Sequence, residues 1–555
     1  MKAWFRSGTP WIWLTGGALA LSLVMVIGLL SLIAVRGFGH FWPSLVAETV
    51  VTNHDTGEQT LVLGEITRTE QVPAAVARDA GQFVPEGIEL VERVLFKRGN
   101  RDQFGQDFVW HLGLTLDEMR FPPEVLAIER REWGNFYGYP IYLEIDGERI
   151  ETDDPRFRDM TQAAVARSLD YRQRIRRIER TDIGRTSREL ENIRLEERGM
   201  QLRGVSGQEL AEAQERFARQ RALLEAEFLE LRSELDALYA SQRRDLLHMR
   251  MSDERELTIS FDNIVRVTSP NDITVLAKIV EYFDRVGEFL TEGPREANTE
   301  GGIFPAIFGT VTMVLVMSIM VTPFGVLAAI YLREYAKQGT VTRIIRVSVY
   351  NLAGVPSIVF GVFGLGFFVY FLGGNIDQLF YQAALPSPTF GTPGLFWASL
   401  TLALLTLPVV IVSTEEGLAR IPTTIRQGSL ALGATKSETL WKVVVPLATP
   451  AMMTGLILAI ARAAGEVAPL MLVGVVKLAP TLPIDGEFPF IHLERKIMHL
   501  GFHIYDVGFQ SPNVEAARPL VYATALTLVL LIIVLNLTAI AIRNRLREKY
   551  RSDSD

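Results

Sequence analysis

The chain has 555 residues, of which 48% are hydrophobic and 22% are charged, and its formal net charge is -8. Its 56 Lys and Arg residues are matched by 64 Asp and Glu residues instead of forming a basic stripe, which argues against nucleic-acid binding. The chain contains no cysteine, and this excludes a disulfide framework, a zinc finger, an iron–sulfur site and a thiolate nucleophile.

The first apolar segment lies near the start of the chain. A leading stretch over 1–10 is followed by 11–35, about 25 residues without a charge, which is enough to cross the ~30 Å hydrocarbon core of a membrane. A cleaved signal peptide is the alternative, but the run is too long for a signal h-region and no small-x-small cleavage site precedes Arg36. We therefore predict a tail over 1–10 and a retained transmembrane helix over 11–35.

Residues 36–303 are rich in Arg, Glu and Asp and predict a large water-soluble insert after the first helix. Short alternating runs separated by turn signals indicate a β-rich part over 46–152. Over 156–250, an apolar seam at three- and four-residue spacing, without proline, predicts a long helical hairpin. Ser206 and Glu209 offer a capping box at the start of its second helix. No catalytic constellation or metal-ligand cluster stands out in the insert, and no cofactor is expected.

Smaller features of the insert are also predicted. A turn is expected at 55–57, and the first helix of the hairpin, over 160–200, is expected to be interrupted near Gly184. Residues 257–268 are expected to return as strand. A short amphipathic helix over 272–290 is expected to lead into the membrane.

Five further apolar stretches predict that 304–543 is a membrane core of five helices, followed by a tail over 544–555. Lys and Arg are concentrated in the leading tail, in the connections after the second and fourth helices, and in the final tail, whereas 374–394 contains neither. Because basic loops stay on the cytoplasmic side, both termini are predicted to be cytoplasmic and the insert to lie outside. The five stretches are about 304–332, 348–373, 395–414, 449–476 and 520–542.

The connection after the fourth apolar stretch, residues 415–450, is the most informative segment of the sequence. Pro422 breaks the preceding helix, a short helix can form over 429–432, and Gly433 permits a sharp reversal of the chain. Pro446 suits the first turn of the next membrane helix. A short helix held between two turns is well shaped to lie in the groove of another protein. An ordinary amphipathic loop is the alternative.

This segment resembles the EAA loop of ABC importer permeases, which docks on the cytoplasmic ATPase. Gly433 falls on the family glycine and Pro446 on a trailing position, whereas Gln-Gly-Ser at 427–429 replaces the Glu-Ala-Ala. The resemblance implies an α-helical membrane protein with six transmembrane helices of ABC importer permease type, here with an extracytoplasmic α+β insert that contains a long helical hairpin. It places the ATPase contact at Gln427, Ser429, Ala431, Gly433, Ala434 and Pro446.

Two further stretches are similar to the phosphate-specific branch of these permeases, the PstA and PstC subunits, and more to PstA. One reads Asn-Leu-Ala-Gly-Val-Pro-Ser-Ile-Val-Phe-Gly over 351–361. The other reads Ala-Arg-Ala-Ala-Gly-Glu-Val-Ala-Pro-Leu over 461–470, with Val467 where the family usually has Thr. The resemblance implies a non-catalytic permease subunit of an ATP-driven phosphate importer in the inner membrane of a bacterium. Its implied partners are a PstB-like ATPase, a PstC-like second permease chain, a PstS-like phosphate-binding protein and membrane lipid, and no nucleic acid.

The same stretches contain the candidate residues of the substrate pathway. Pro356 removes a helix hydrogen bond and Gly354 allows close backbone approach, which suits a pore lining and tight helix packing about equally. Arg462 and Glu466 lie four apart on the predicted fifth helix and share one face. The resemblance links the arginine of this Arg-x-x-Gly-Glu pattern to phosphate passage, and a guanidinium offers bidentate donors to such an anion. The alternative is an ion pair that only locks the helix.

Other functional classes fit the sequence less well. The run from Gly433 to Ser437 lacks the G-x-x-x-x-G-K-[ST] spacing of a phosphate-binding loop, so ATP hydrolysis is expected on a partner chain. An ion-driven secondary transporter would show internal repeats with paired broken helices, and none is convincing. A permease for another oxyanion, and a membrane sensor or scaffold that uses the helical insert, are left open.

Overall fold

The computed structural model describes residues 7–53, 57–486, 488–511 and 514–549. Residues 1–6 and 550–555 of the predicted tails, and residues 55 and 56 of the predicted turn, lie outside these ranges. The chain forms two compact units, called here the helical unit and the insert unit. The helical unit comprises Met1–His40, Thr291–Gly293 and Ile303–Asp555, and the insert unit comprises Phe41–Leu290 and Pro294–Gly302.

Within the described residues, six helices are long and apolar enough to cross a membrane, which confirms the predicted number. They are called the first to sixth spans in chain order. The helix that contains the sixth span runs from Val514 to Lys549, so it includes the first residues of the predicted final tail. The six spans are Thr9–Gly39, Phe304–Tyr335, Ser357–Phe380, Leu395–Ala419, Lys436–Gly465 and Ala517–Glu548.

The predicted limits of the third and fifth spans are wrong. The third begins at Ser357 instead of 348, because the chain first forms a separate amphipathic helix over Thr340–Leu352 and Pro356 then occupies the N-cap of the span. The fifth runs over Lys436–Gly465 instead of 449–476. It ends where Glu466 adopts an extended backbone.

Pro446 lies in the first turn of the α-helix Val445–Gly465, as predicted, although the fifth span as a whole begins earlier, at Lys436. A π-helical turn over Leu440–Val444 immediately precedes it. Proline has no backbone N–H and interrupts the ordinary i to i−4 pattern of an α-helix. A π-turn is one of the local adjustments by which a membrane helix accommodates such an interruption.

The fourth span lies at the centre of the helical unit and packs along the second and fifth spans. Small residues allow this close approach, since a Cβ at Gly455 of the fifth span would stand 2.6 Å from the Ser413 side chain of the fourth. The shared core is apolar and includes Met313, Met317, Leu402, Val410 and Ala459. The first span packs against the helix of the sixth.

Between the fifth and sixth spans, residues 466–511 fold back along the start of the fourth. The Leu395 and Phe396 amides donate to the carbonyl oxygens of Arg495 and Leu493, each at 2.8 Å. Arg495 in turn donates to Asp485 Oδ2 at 2.6 Å. The segment contains the short helices Leu470–Val473 and Leu500–Tyr505 and a π-helical turn over Asp506–Gln510.

Among the described residues, the insert unit contains two larger antiparallel sheets and a two-stranded one, which is described last. In the first, the strand order is β1-β2-β3-β4, and in the second it is β10-β5-β6-β8-β9 with β7 also paired to β6. Short helices at Ala74–Asp79 and Arg101–Phe104 connect strands of the first sheet. The strands are β1 (Val46–Thr52), β2 (Gln59–Pro73), β3 (Leu90–Lys97), β4 (Phe108–Leu112), β5 (Leu126–Arg130), β6 (Phe136–Ile145), β7 (Glu148–Glu151), β8 (Leu246–Arg250), β9 (Glu256–Ser260) and β10 (Ile264–Thr268).

A helical hairpin connects β7 to β8. Its first arm comprises Phe157–Arg177, a π-helical turn at Ile178–Asp182 and Ile183–Leu202, so it continues through the predicted interruption near Gly184. Its second arm, Gln208–Gln242, is about 50 Å long at 1.5 Å per residue. The hairpin is thus inserted into one sheet, whereas the sequence suggested a β-rich part followed by a helical part.

The capping box predicted at Ser206 and Glu209 does not form. Gly207 occupies the N-cap of the second arm, and no side chain caps that helix. Its positive φ of 75° suits glycine, and it shifts the helix start one residue beyond the predicted cap.

After the second sheet, a helix over Val275–Thr291 leads toward the second span. It is followed by a small hairpin of β11 (Pro294–Arg295) and β12 (Glu300–Gly301), joined by a 3₁₀ turn at Glu296–Asn298. The second span starts three residues after β12, at Phe304.

Candidate coupling loop and translocation segments

The coupling loop, residues 415–450, contains a helix, a turn and the start of the fifth span. Its helix covers Thr423–Ala431 and begins directly after Pro422, so it is longer than the predicted 429–432. None of its residues is buried. Gly433 has a φ of 89°, the left-handed region that favours glycine, and it reverses the chain as the sequence predicted.

The fifth span starts with a capping box after this turn. The Glu438 amide donates to Thr435 Oγ1 at 3.2 Å, and the Thr435 amide donates to Glu438 Oε2 at 3.0 Å. This exchange satisfies backbone donors at the helix start, which would otherwise need water. The turn therefore has fixed geometry on both sides of Gly433.

The predicted contact residues have different surroundings. Gln427 and Ala431 are exposed on the helix, and Ser429 Oγ lies 2.9 Å from Thr439 Oγ1, which ties the helix to the start of the fifth span. The Ala434 amide donates to the Ser429 carbonyl oxygen at 3.3 Å and closes the turn. Pro446 lies apart from them, inside the fifth span.

Several large apolar side chains of this loop are exposed. Leu432 is 91% exposed, and Leu430 and Trp441 are about half exposed. A cluster of large exposed apolar side chains beside a short helix is a feature of protein interfaces. The loop can therefore fit an apolar pocket of a partner chain.

Arg426 fastens the coupling loop to the ends of two spans. Its guanidinium donates to the carbonyl oxygens of Leu418 at 2.8 Å and Ile421 at 2.9 Å, and it also forms an ion pair with Glu334 at 2.9 Å. Lys436 adds a bond to the Glu334 carbonyl oxygen at 2.6 Å. The second span, the fourth span and the coupling helix are thus joined at one side chain.

The two glycine-containing stretches, 351–361 and 461–470, meet in the structure. A Cβ at Gly361 would stand 2.7 Å from Pro469 Cα, which is closer than real side chains approach. Likewise, a Cβ at Gly364, three residues further on, would stand 2.4 Å from Oγ1 of Thr401 in the fourth span. Gly354 and Pro356 are exposed in the turn before the third span.

Arg462 and Glu466 form an ion pair at the end of the fifth span. Arg462 Nε lies 3.4 Å from Glu466 Oε1. Arg462 is in the last turn of the helix, whereas Glu466 is its C-cap, with a ψ of 135°. The Arg462 side chain remains 35% exposed and that of Glu466 20% exposed.

The comparisons with known proteins agree with this arrangement. The family described as "Binding-protein-dependent transport system inner membrane component" matches residues 321–552. The phosphate transport system permease protein PstA of Mycobacterium leprae is 37% identical over 245 residues, which cover 44% of this chain and 71% of that protein. PstA 1 of Mycobacterium tuberculosis (strain ATCC 25618 / H37Rv) is 34% identical over 247 residues, covering 44% and 70%. The chain belongs to the PstA-type ABC permeases.

A third relative, the probable phosphate transport system permease protein PstA of Methanocaldococcus jannaschii, is 30% identical over 221 residues, covering 39% of this chain and 67% of that protein. Membership confirms the predicted class: a multi-pass permease of the inner membrane that is not itself an enzyme. In this family the ATPase is a separate chain, and a binding protein presents the substrate.

Sequence reasoning missed the partly buried ion pairs that hold this permease's coupling loop. In the sequence, Arg426 and Arg346 served only as positive charges that indicate the cytoplasmic side. In the structure, Arg426 pairs with Glu334, and Arg346 pairs with Glu415 at 3.1 Å. Their partners are 92 and 69 residues away along the chain. A run of basic residues beside isolated carboxylates was the available signal, but it does not determine which charges meet.

Proposed function

We propose that this permease is a membrane subunit of an ATP-driven importer of inorganic phosphate. The observation that carries the proposal is that curated relatives named for phosphate transport match it at 34–37% identity over about 70% of their length. The segment matched by the family profile contains the coupling loop and both glycine-containing stretches. A permease for another oxyanion is less well supported, because the three relatives described above carry the phosphate name.

The coupling loop is proposed to contact a cytoplasmic PstB-like ATPase through Gln427, Ser429, Ala431, Gly433 and Ala434, with Pro446 shaping the span behind them. The support is the exposed helix, its apolar side chains and the fixed turn at Gly433. Movement of the ATPase would reach the second and fourth spans through Arg426 and Glu334. The remaining proposed partners are a PstC-like permease chain and a PstS-like binding protein.

Both termini and the coupling loop are proposed to be cytoplasmic, and the insert unit to lie outside. The support is the alternation of basic and non-basic connections along six spans. This orientation places the insert on the side from which a binding protein delivers substrate.

The substrate pathway is proposed to pass Arg462 and Glu466, with Gly354 and Pro356 shaping the turn at the start of the third span. A phosphate ion loses water on its way, and a guanidinium compensates with paired N–H donors. Glu466 pairs with Nε of Arg462 and so lowers the affinity of the arginine for the anion, which allows the anion to leave.

Uptake of labelled phosphate by bacteria lacking the chain, and by the same cells with the chain restored, tests the function. We expect uptake that depends on the chain and on ATP, and that excess unlabelled phosphate suppresses more than equal sulfate or molybdate. If restoring the chain left phosphate uptake unchanged but restored uptake of another oxyanion, that oxyanion and not phosphate would be the substrate. Co-purification of an ATPase and a second permease chain tests the partners separately.

A further inference from the structure

The helix Val275–Thr291, called here the collar helix, has its apolar face directed away from its own unit. In a soluble domain the apolar stripe of a surface helix faces the core and its charges face water. Here Leu276 is 73% exposed, Phe283 is 66% exposed and Val280 is 56% exposed. These residues recur at three- and four-residue spacing and therefore share one face, together with Ile279 and Leu290.

The charged face of the collar helix is bound to the insert unit. Glu288 pairs with Arg266 of β10 at 2.7 Å and with Arg295 of β11 at 3.1 Å. On the same side, Arg285 pairs with Glu281 at 2.5 Å. The two Glu288 pairs fix the rotation of the helix about its axis, whereas Arg285 and Glu281 both belong to the helix itself. The exposed apolar face is therefore not the result of a helix free to turn.

The C-terminal half of the collar helix is close in the chain to the membrane spans. At the C-terminal end, the Phe304 amide, the first residue of the second span, donates to the Glu292 carbonyl oxygen at 3.0 Å. Phe41, two residues after the first span, contacts Phe289 and Tyr282 with ring centroids 5.1 and 6.1 Å apart. The collar helix is therefore adjacent in the chain to the second span, and it packs on Phe41, a residue that closely follows the first span.

The composition of this region is that of a membrane interface. Trp42, which is 46% exposed, packs on Tyr282 with ring centroids 6.2 Å apart, and Phe283 continues the aromatic group. Tyrosine and tryptophan are enriched at the level of lipid headgroups. Amphipathic helices with one apolar and one charged face lie in that layer, roughly 5–10 Å deep.

We propose that the collar helix lies in the outer leaflet interface of the bilayer, with Leu276, Val280 and Phe283 inserted among lipid chains. The occupant of the apolar face is lipid, because the chain enters the second span shortly after the helix and the helix packs on Phe41, just after the first span. The collar helix attaches the insert unit to the bilayer surface. This inference rests on the spans, not on the identity of the transported ion.

The absence of cysteine from the chain makes a direct test possible. Leu276→Cys and Phe283→Cys, each labelled with a small fluorophore, are prepared in the full chain and placed in nanodiscs. Leu223→Cys on the hairpin is the matched control, because Leu223 is 72% exposed and equally apolar. All three sites are exposed, so the labels do not disturb a packed core.

Lipids with brominated acyl chains are expected to quench most of the fluorescence at Leu276 and Phe283 and to leave the Leu223 label unchanged. Aqueous iodide is expected to show the reverse order. Quenching of the two collar labels by iodide as strongly as the control would overturn the proposal. Protection of both labels from lipid bromine and from iodide would also overturn it, since a protein surface would then cover the face.

Discussion

Arg462 keeps 35% of its side chain exposed although Glu466 lies within ion-pair distance. A purely structural pair in a membrane helix would be expected to bury both groups against each other. At the residue scale, this partial exposure favours the proposed anion site over a helix lock. The two interpretations make different predictions for the same substitution.

Arg462→Gln is expected to abolish phosphate uptake while ATPase and partner chains still co-purify. Hydrogen bonds to charged groups contribute about 1.5–3 kcal/mol each, so uptake should fall by more than about tenfold. Arg462→Lys keeps the charge but not the paired donors, and it should raise the apparent KM more than it lowers the maximal rate. Normal transport by the Gln variant would refute the pathway role, and failure of the complex to assemble would identify the pair as structural.

The glycines of the third span offer a second test at this scale. Gly361→Ala places a Cβ 2.7 Å from the backbone of Pro469, and overpacking of this kind typically costs about 1–3 kcal/mol. Gly366→Ala, five residues further along the same span, meets no atom within 4 Å. Thermal unfolding in detergent should show a lower transition temperature for Gly361→Ala only. Equal stability of the two variants would show that the 351–361 and 461–470 stretches are not in tight contact.

Glu300 provides a pH-sensitive group in the insert unit. Its Oε2 is buried without a hydrogen-bond partner among the described residues, and this burial raises the pKa of the Glu300 carboxyl to about 7. Lys97 lowers the pKa, and the carboxylates of Glu296 and Glu129 raise it further. The folded insert therefore binds this proton more tightly than the unfolded chain does.

A raised carboxyl pKa stabilises the folded state at low pH, and the stabilisation is lost as the pH rises through about 7. At about 1.4 kcal/mol per pKa unit, the insert should lose about 3 kcal/mol between about pH 4 and about pH 8. Scanning calorimetry of the full chain should record a lower insert transition at the higher pH. In Glu300→Gln this difference should be much smaller, and an unchanged difference would assign the effect to other groups.

At the scale of elements, apolar length was sufficient to predict six spans but not their limits. The Thr340–Leu352 helix is amphipathic and closely precedes the apolar third span, so hydropathy alone does not separate the two. The structure separates them at Pro356, which is the N-cap of the span. The strand pairing of the insert could not be predicted from the sequence, for a different reason. β6 pairs with β8 across a hairpin of about 90 residues, and local alternation carries no information on such a distant partner.

In the coupling loop, a single side chain, that of Arg426, makes three of the contacts that hold the Thr423–Ala431 helix. Arg426→Ala should leave the permease in the membrane but detach the Thr423–Ala431 helix from the second and fourth spans, because three contacts are lost together. Because Arg426 and Glu334 are only partly buried, the cost should fall between the about 0–1 kcal/mol of an exposed pair and the about 3–5 kcal/mol of a buried one. We expect ATP hydrolysis by the bound ATPase to persist while phosphate uptake per ATP falls several-fold.

Arg420→Ala is the matched control, since Arg420 is in the same loop, is 80% exposed and lies 3.9 Å from Glu416. It should have little effect on coupling, as exposed pairs contribute about 0–1 kcal/mol. Uptake and ATPase activity are measured together in proteoliposomes with the complete complex. Equal coupling in the two variants would mean that Arg426 does not transmit movement.

At the scale of the whole molecule, the chain consists of nested insertions. A helical hairpin is inserted into a sheet of the insert unit, and the insert unit is inserted between the first and second spans of the permease. The hairpin leaves the sheet at β7 and returns at β8, which both pair with β6, so the sheet keeps its own pairing around the insertion. The family match covers only 321–552, so the added parts lie outside the segment shared with other permeases.

The orientation of this assembly can be tested with two exposed serines. Ser206 lies in the turn of the hairpin and Ser437 at the start of the fifth span, and the chain has no cysteine of its own. Because basic connections stay inside, Ser206→Cys should react with an impermeant maleimide in right-side-out vesicles and Ser437→Cys only in inside-out vesicles. Detergent-permeabilised membranes serve as the control, where both cysteines should label to the same extent. Reaction of both cysteines from one side would end the six-span arrangement, since an even number of membrane crossings would then separate the hairpin from the coupling loop.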